Sequence, residues 1–136
     1  MDSIPRTLTA YSYDAGSGRL GPGEVIANWL GPGTFDGLAV DEDGNVWVAV
    51  WDAGVVCCYT AHGDLIETYL SPVPRPTALA FADPFGTTLV LTSARSDLSA
   101  PSGPTQPSAE GRVYAMPVPT PGPSSAFFGG APPSRA

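Results

Sequence analysis

Basic residues are scarce in this chain. Six Lys and Arg stand against thirteen Asp and Glu in 136 residues, giving a net charge of −7. Nucleic-acid recognition needs a basic footprint, so that class of partner is excluded. An acidic surface is compatible with a divalent cation or a neutral substrate, and it equally serves solubility. Cysteine is nearly absent too. Cys57 and Cys58 are adjacent, lack Cys-x-x-Cys spacing and define no disulfide framework. On a strand, neighbours point to opposite faces, so one thiol enters each packing layer. No apolar run approaches a bilayer span. The start, from Met1 to Arg6, has no basic stretch followed by an apolar one, as a secretory leader requires. The expectation is a cytoplasmic chain with no membrane partner. With 43% hydrophobic and 14% charged residues, a packed core is expected.

Strand signals and turn clusters fill the chain. The run from Asp36 to Val50 holds a short apolar strand, an acidic glycine turn and an alternating strand, and residues 77–91 echo it at a shift of 41 residues, Leu38 to Leu79. Repeats of about 40–45 residues built only of short strands mark propeller blades. One full unit is predicted with strands at Leu38–Asp41, Val46–Trp51, Val55–Thr60 and Leu65–Leu70. Before it come strands near Thr7–Tyr13 and Gly23–Trp29. After it come Ala78–Ala82, Thr88–Ser93 and Gly111–Met116, the last two separated by a Ser/Pro/Gly-rich insert. Tyr11–Asp14 with Gly18–Leu20 aligns with Cys57–Thr60 and Gly63–Leu65, so the chain starts at the third strand of a blade. Prolines recurring beyond Pro117 argue against a regular central strand there, leaving Phe127-Phe128 as a last edge contact. The fold class expected is all-β: a partial six-bladed β-propeller of about two and a half four-stranded antiparallel blades, with no helix.

Asp36-Gly37-Leu38, Asp41, Gly44, Trp47-x-Ala49, Gly54-x-Val56 and Thr92-x-Ala94-Arg95 stand in an order and spacing that resemble the SMP-30/gluconolactonase/regucalcin-like family. Asp2-Ser3 resembles the end of that family's Tyr-x-Asp-Ser strand. The resemblance covers residues 1–130, leaving 131–136 as a loose tail, and looks like the C-terminal half of a six-bladed propeller. It implies lactone ring hydrolysis with one divalent metal, Ca²⁺ or Zn²⁺, in the central channel. It also implies three protein ligands: a Glu, an Asn and the Asp of Pro-Asp-Gly. Only the last maps here, to Asp36, as metal ligand and catalytic base. Phe35 replaces the usual Pro, and the expected positions of the Glu and Asn, like those of a substrate-binding Arg and Asn, fall upstream of Met1.

Read from the residues alone, Asp36 equally suits a turn cap before a strand. Asp41-Glu42-Asp43-Gly44-Asn45 lacks the glycine position of a calcium loop and reads as a solvated hairpin turn. His62 sits in a Gly-containing turn without a partner at metal spacing. Ser93 and Ser96 flank Arg95, yet no Gly-x-Ser-x-Gly elbow exists. Arg95 suits a channel mouth or a surface ion pair. Trp47 and Trp51 share a strand face and suit blade packing or sugar stacking. Three functional readings follow. One is a lactone-hydrolysing propeller half with a small-molecule lactone as substrate. The second is a non-catalytic binding or scaffold module, and the third is a truncated gene product. Open blade faces and strand edges predict self-association.

Overall fold

The computed structural model describes residues 1–82, 86–95 and 109–124. The predicted Phe127-Phe128 contact, the tail 131–136, Ser96 and most of the Ser/Pro/Gly-rich insert lie outside them. Nine strands are described: β1 (Thr7–Asp14), β2 (Arg19–Asn28), β3 (Thr34–Val40), β4 (Val46–Trp51), β5 (Val55–Tyr59), β6 (Leu65–Leu70), β7 (Pro76–Ala82), β8 (Thr88–Ser93) and β9 (Val113–Pro117). They form three antiparallel meanders in chain order: a two-stranded sheet β1-β2, a four-stranded sheet β3-β4-β5-β6 and a three-stranded sheet β7-β8-β9. No helix occurs among the described residues. The fold is therefore all-β, a partial propeller made of half a blade, one whole blade and three strands of another.

The middle sheet is buried on both faces because its central strands carry apolar residues at every position. Trp47, Ala49, Val56 and Cys58 pack against Leu79, Leu89 and Leu91 of the third sheet. Val48, Val50, Cys57 and Tyr59 point the other way, onto Phe35 and onto Leu8 and Ala27 of the first sheet. Period-two alternation thus splits the adjacent cysteines between the two layers, as expected. Each such side chain contributes about 1.5–3 kcal/mol when fully buried. Trp47 stacks on Tyr69 with ring centroids 5.2 Å apart and meets Phe81 edge-on at 6.3 Å, so blade packing is its role here.

The second and third sheets meet along one edge. β7 packs against β3 and β4. Gly37 sits so close to the neighbouring strand that a Cβ there would lie 2.6 Å from the Thr77 carbonyl oxygen and the Ala78 Cα. On the opposite side, β6 is exposed along most of its length. β3 and β7 are thus the inner strands of the two complete-enough blades, and their shared edge is where a channel would run.

Candidate functional site

Asp36 is the third residue of β3, on that inner edge. The ladder to β4 pairs Phe35 with Val50 and Leu38 with Val48, so Asp36 and Gly37 together stand opposite Ala49. This is a β-bulge, a device that re-aims a side chain next to a functional site. The same irregularity recurs at the same place in the third sheet. Pro76 pairs with Ser93 and Leu79 with Leu91, leaving Thr77 and Ala78 opposite Thr92. The 41-residue repeat puts Thr77 at the Asp36 position, so one blade presents a carboxylate and the next a hydroxyl. Thr77 and Thr92 share a hydroxyl–hydroxyl bond of 2.6 Å, and the Thr92 Oγ1 accepts the Ala78 N–H at 3.0 Å.

Asp36 is half-buried. Burial pushes its carboxyl above the ordinary aspartate value, against a weaker opposite pull from the Gly37 backbone N–H. A carboxylate held with a raised proton affinity beside an inner edge can take a proton from water. The donor set does not by itself fit a divalent ion. Calcium takes six to eight oxygens, and among the described residues no three His, Cys, Asp or Glu side chains gather at one place.

Asp41 corrects the sequence reading. It was expected in a solvated hairpin turn, but it is only 3% exposed. Its Oδ1 accepts the backbone N–H of Asp43 at 3.1 Å and of Asn45 at 2.8 Å, and its Oδ2 accepts Asn45 Nδ2 at 3.0 Å and Trp47 Nε1 at 2.9 Å. The Asp41, Gly44 and Trp47 pattern is therefore a structural lock. Gly44 takes φ 82°, the left-handed conformation the turn needs, and the carboxylate ties that turn to the buried indole. The Trp47 spacing was the available signal, since a buried indole N–H requires an acceptor.

The other residues singled out lie apart from Asp36's bulge. His62 is exposed in the β5–β6 turn, where its N–H meets Thr60 Oγ1 at 3.2 Å. Arg95 is exposed with its stem over Gly111. Ser93 binds the Arg112 backbone, donating to its carbonyl oxygen at 2.8 Å and accepting its N–H at 3.1 Å. Trp51 is covered by the Arg75 guanidinium, 5.3 Å from the ring centroid, while Arg75 Nε also reaches Asp52 at 2.6 Å.

The architecture and the inner-edge carboxylate define a class: propeller proteins assembled from four-stranded meanders around a channel. Residues 1–95 match the family model described as SMP-30/Gluconolactonase/LRE-like region, and the chain belongs to that family. It is 33% identical over 93 residues to the pentonolactonase XacC of Haloferax volcanii, covering 68% of this chain and 32% of that protein. It is 27% identical over 113 residues to regucalcin of Gallus gallus, covering 82% and 38%. Among solved structures it resembles a calcium-binding protein, regucalcin, from Agrobacterium tumefaciens, with TM-score 0.78 and 29% identity, over 90% of this chain and 42% of that one. A luciferin-regenerating enzyme gives TM-score 0.76 at 28% identity, over 90% and 41%. The chain thus spans about a third to two fifths of the length of these relatives.

Proposed function

We propose that this chain carries one corner of a sugar-lactone hydrolase site, with Asp36 as its acid–base and cation-facing group. The supporting observation is the position of Asp36: half-buried, in a bulge, beside Gly37, whose backbone lies against Thr77 and Ala78 of the next blade. The family membership and relatives named for lactonase activity support the substrate class. In this reading the ionised Asp36 accepts a proton from a water molecule as that water's oxygen bonds to the lactone carbonyl carbon. The ring C–O bond then breaks as the protonated Asp36 returns that proton to the ring oxygen, which leaves as the hydroxyl of an open-chain acid. A divalent ion, Ca²⁺ or Zn²⁺, would polarise that carbonyl. Among the described residues no three His, Cys, Asp or Glu side chains gather around Asp36, so in this reading the other oxygens of the ion's shell come from water or from another part of the assembly.

The isolated chain is therefore expected to hydrolyse a sugar δ-lactone negligibly above the uncatalysed rate. Turnover is to be measured with Ca²⁺, Zn²⁺ or Mn²⁺ and with chelator, for wild type and Asp36→Ala. Any metal-dependent turnover should vanish in Asp36→Ala. Robust turnover that survives this substitution would overturn the assignment. The scaffold reading is favoured by one observation, the two-faced burial of the middle sheet, which needs no chemistry to justify it. Activity dependent on Asp36 would exclude it.

A further inference from the structure

Every basic residue of the chain is an arginine; there are six, and no lysine. Four of the five described ones stand at one end of the strands. Arg6 precedes β1, Arg75 precedes β7, Arg95 follows β8 and Arg112 precedes β9. Arg6 Nη1 donates to the Gly31 carbonyl oxygen at 3.1 Å, in the loop that leads into β3. This is the end at which β3 starts, two residues before Asp36. Asp2, Asp36, Asp52 and Glu110 balance the four arginines there. The opposite end sets Asp14, Asp41, Glu42, Asp43 and Asp64 against Arg19 alone, and Glu24 and Glu67 lie within β2 and β6. The net charge of −7 repels an anion from afar. Among the described residues, however, the excess negative charge is gathered away from Asp36, so the field favours approach of an anion to the Asp36 end.

Arg75 is the arginine held ready to receive one. Its backbone is fixed, because the Pro74 carbonyl accepts the Gly54 N–H at 3.1 Å and its own carbonyl accepts the Ala94 N–H at 3.0 Å. Its guanidinium lies over the Trp51 ring, and its Nε is bound to Asp52 at 2.6 Å. The two terminal nitrogens make no hydrogen bond among the described residues. Half of a planar fork is therefore oriented and unbonded, and the ordering of its long side chain precedes the ligand. Asp52 neutralises part of its charge, which keeps the affinity modest. Trp51 pairs with Thr34, and Asp36 lies two residues further along β3, about 7 Å at the rise of a strand. One sugar ring with its exocyclic carbon bridges that gap. We infer that Arg75 grips a carboxylate at the end of the substrate remote from its ring carbonyl, so that the lactone taken is that of a sugar diacid. The terminal nitrogens bind such a carboxylate with two parallel bonds. The substrate class rests on the lactone-hydrolase reading; the carboxylate contact at Arg75 does not.

The test titrates the full chain at low salt with D-glucarate, an open-chain sugar diacid, and with D-glucitol, its uncharged counterpart. Binding is read by calorimetry and located by nuclear magnetic resonance of the arginine side-chain N–H groups. The expected result is saturable binding of D-glucarate that shifts the Arg75 signal and leaves Arg19 unmoved, with no response to D-glucitol. Arg75→Gln should weaken binding about tenfold. Arg75→Lys should recover only part of the loss, since it keeps the charge without the fork. Arg19→Gln should bind as wild type does, and added salt should weaken binding. Asp36→Ala should keep the Arg75 shift, which separates this contact from the hydrolase reading: turnover indifferent to Asp36 beside an intact Arg75 contact would sink only that reading. No binding, equal shifts at all the arginines, equal affinity for inorganic sulfate, or wild-type affinity in Arg75→Gln would each overturn the inference.

Discussion

The Asp41 carboxylate accepts four hydrogen bonds while nearly excluded from water, and its removal would strand the Trp47 indole N–H in the core. Asp41→Ala is expected to destabilise by about 2–4 kcal/mol, because unmade buried bonds cost the full desolvation of their groups. Chemical denaturation followed by Trp fluorescence reads this directly, and an effect within ~0.5 kcal/mol, the level of a solvated turn, would contradict the lock. The thiols and a phenol give a pH signature. Burial raises Cys58 from 9.0 to about 11 and Tyr59 from 10.0 to about 12. The folded chain therefore holds protons that the unfolded chain releases. The stability linked to Cys58 is complete below pH 9 and is lost as pH rises toward about 11, and that linked to Tyr59 is lost from 10 toward about 12. Thermal unfolding between pH 8 and 12 should show a falling Tm, and alkylation at pH 8 should modify neither thiol until denaturant is added.

At the scale of elements, the bulges in β3 and β7 set Asp36 and Thr77 at matching places on neighbouring strands. They occupy equivalent places in two blades, and Gly37 makes the first possible by letting β3 lie against the Thr77–Ala78 backbone. Gly37→Val forces those strands apart and is expected to cost about 1–3 kcal/mol, read as a lowered Tm with unchanged β content by circular dichroism. An unchanged Tm would show that the strands do not approach as described. The bulges also explain what the sequence made legible. β4, β6 and β8 run over the expected residues because each is a short apolar-rich run bounded by turn clusters, and the irregularity at Ile66 in β6 does not move its ends. β3 begins at Thr34, before the expected Leu38, because Thr34 and Phe35 pair with Trp51 and Val50 beyond the bulge. A bulge flips the apolar pattern and hides the strand on its far side. β2 likewise begins at Arg19, before the expected Gly23, since Gly21-Pro22-Gly23 reads as a turn yet lies in an irregular strand. Asp36 stands out only through the family resemblance, because Asp-Gly alone fits any turn. Asp41 was misread because burial of a loop carboxylate depends on the distant blade that buries Trp47.

At the scale of the molecule, three sheets follow one another and, among the described residues, only the middle one is covered on both faces. The first sheet leaves Tyr11 and Val25 each 53% exposed, and the third leaves Val113 66% exposed. These faces are candidates for self-association, opposed by the net charge of −7. Salt screens that repulsion, with a Debye length of about 10 Å at 0.1 M and 3 Å at 1 M. Sedimentation is expected to show weight-average mass rising with salt. A mass independent of salt would separate association from charge.

The proposal under test is that Asp36 faces a cation without three His, Cys, Asp or Glu side chains gathered around it among the described residues. Calorimetric titration with Ca²⁺ and Zn²⁺, for wild type and Asp36→Ala, tests it most directly. Neither protein is expected to bind saturably tighter than about 1 mM, the weak end for complete calcium modules, and the two should not differ in that range. A sub-millimolar site in the wild type would contradict it, whether it persists in Asp36→Ala or is lost there.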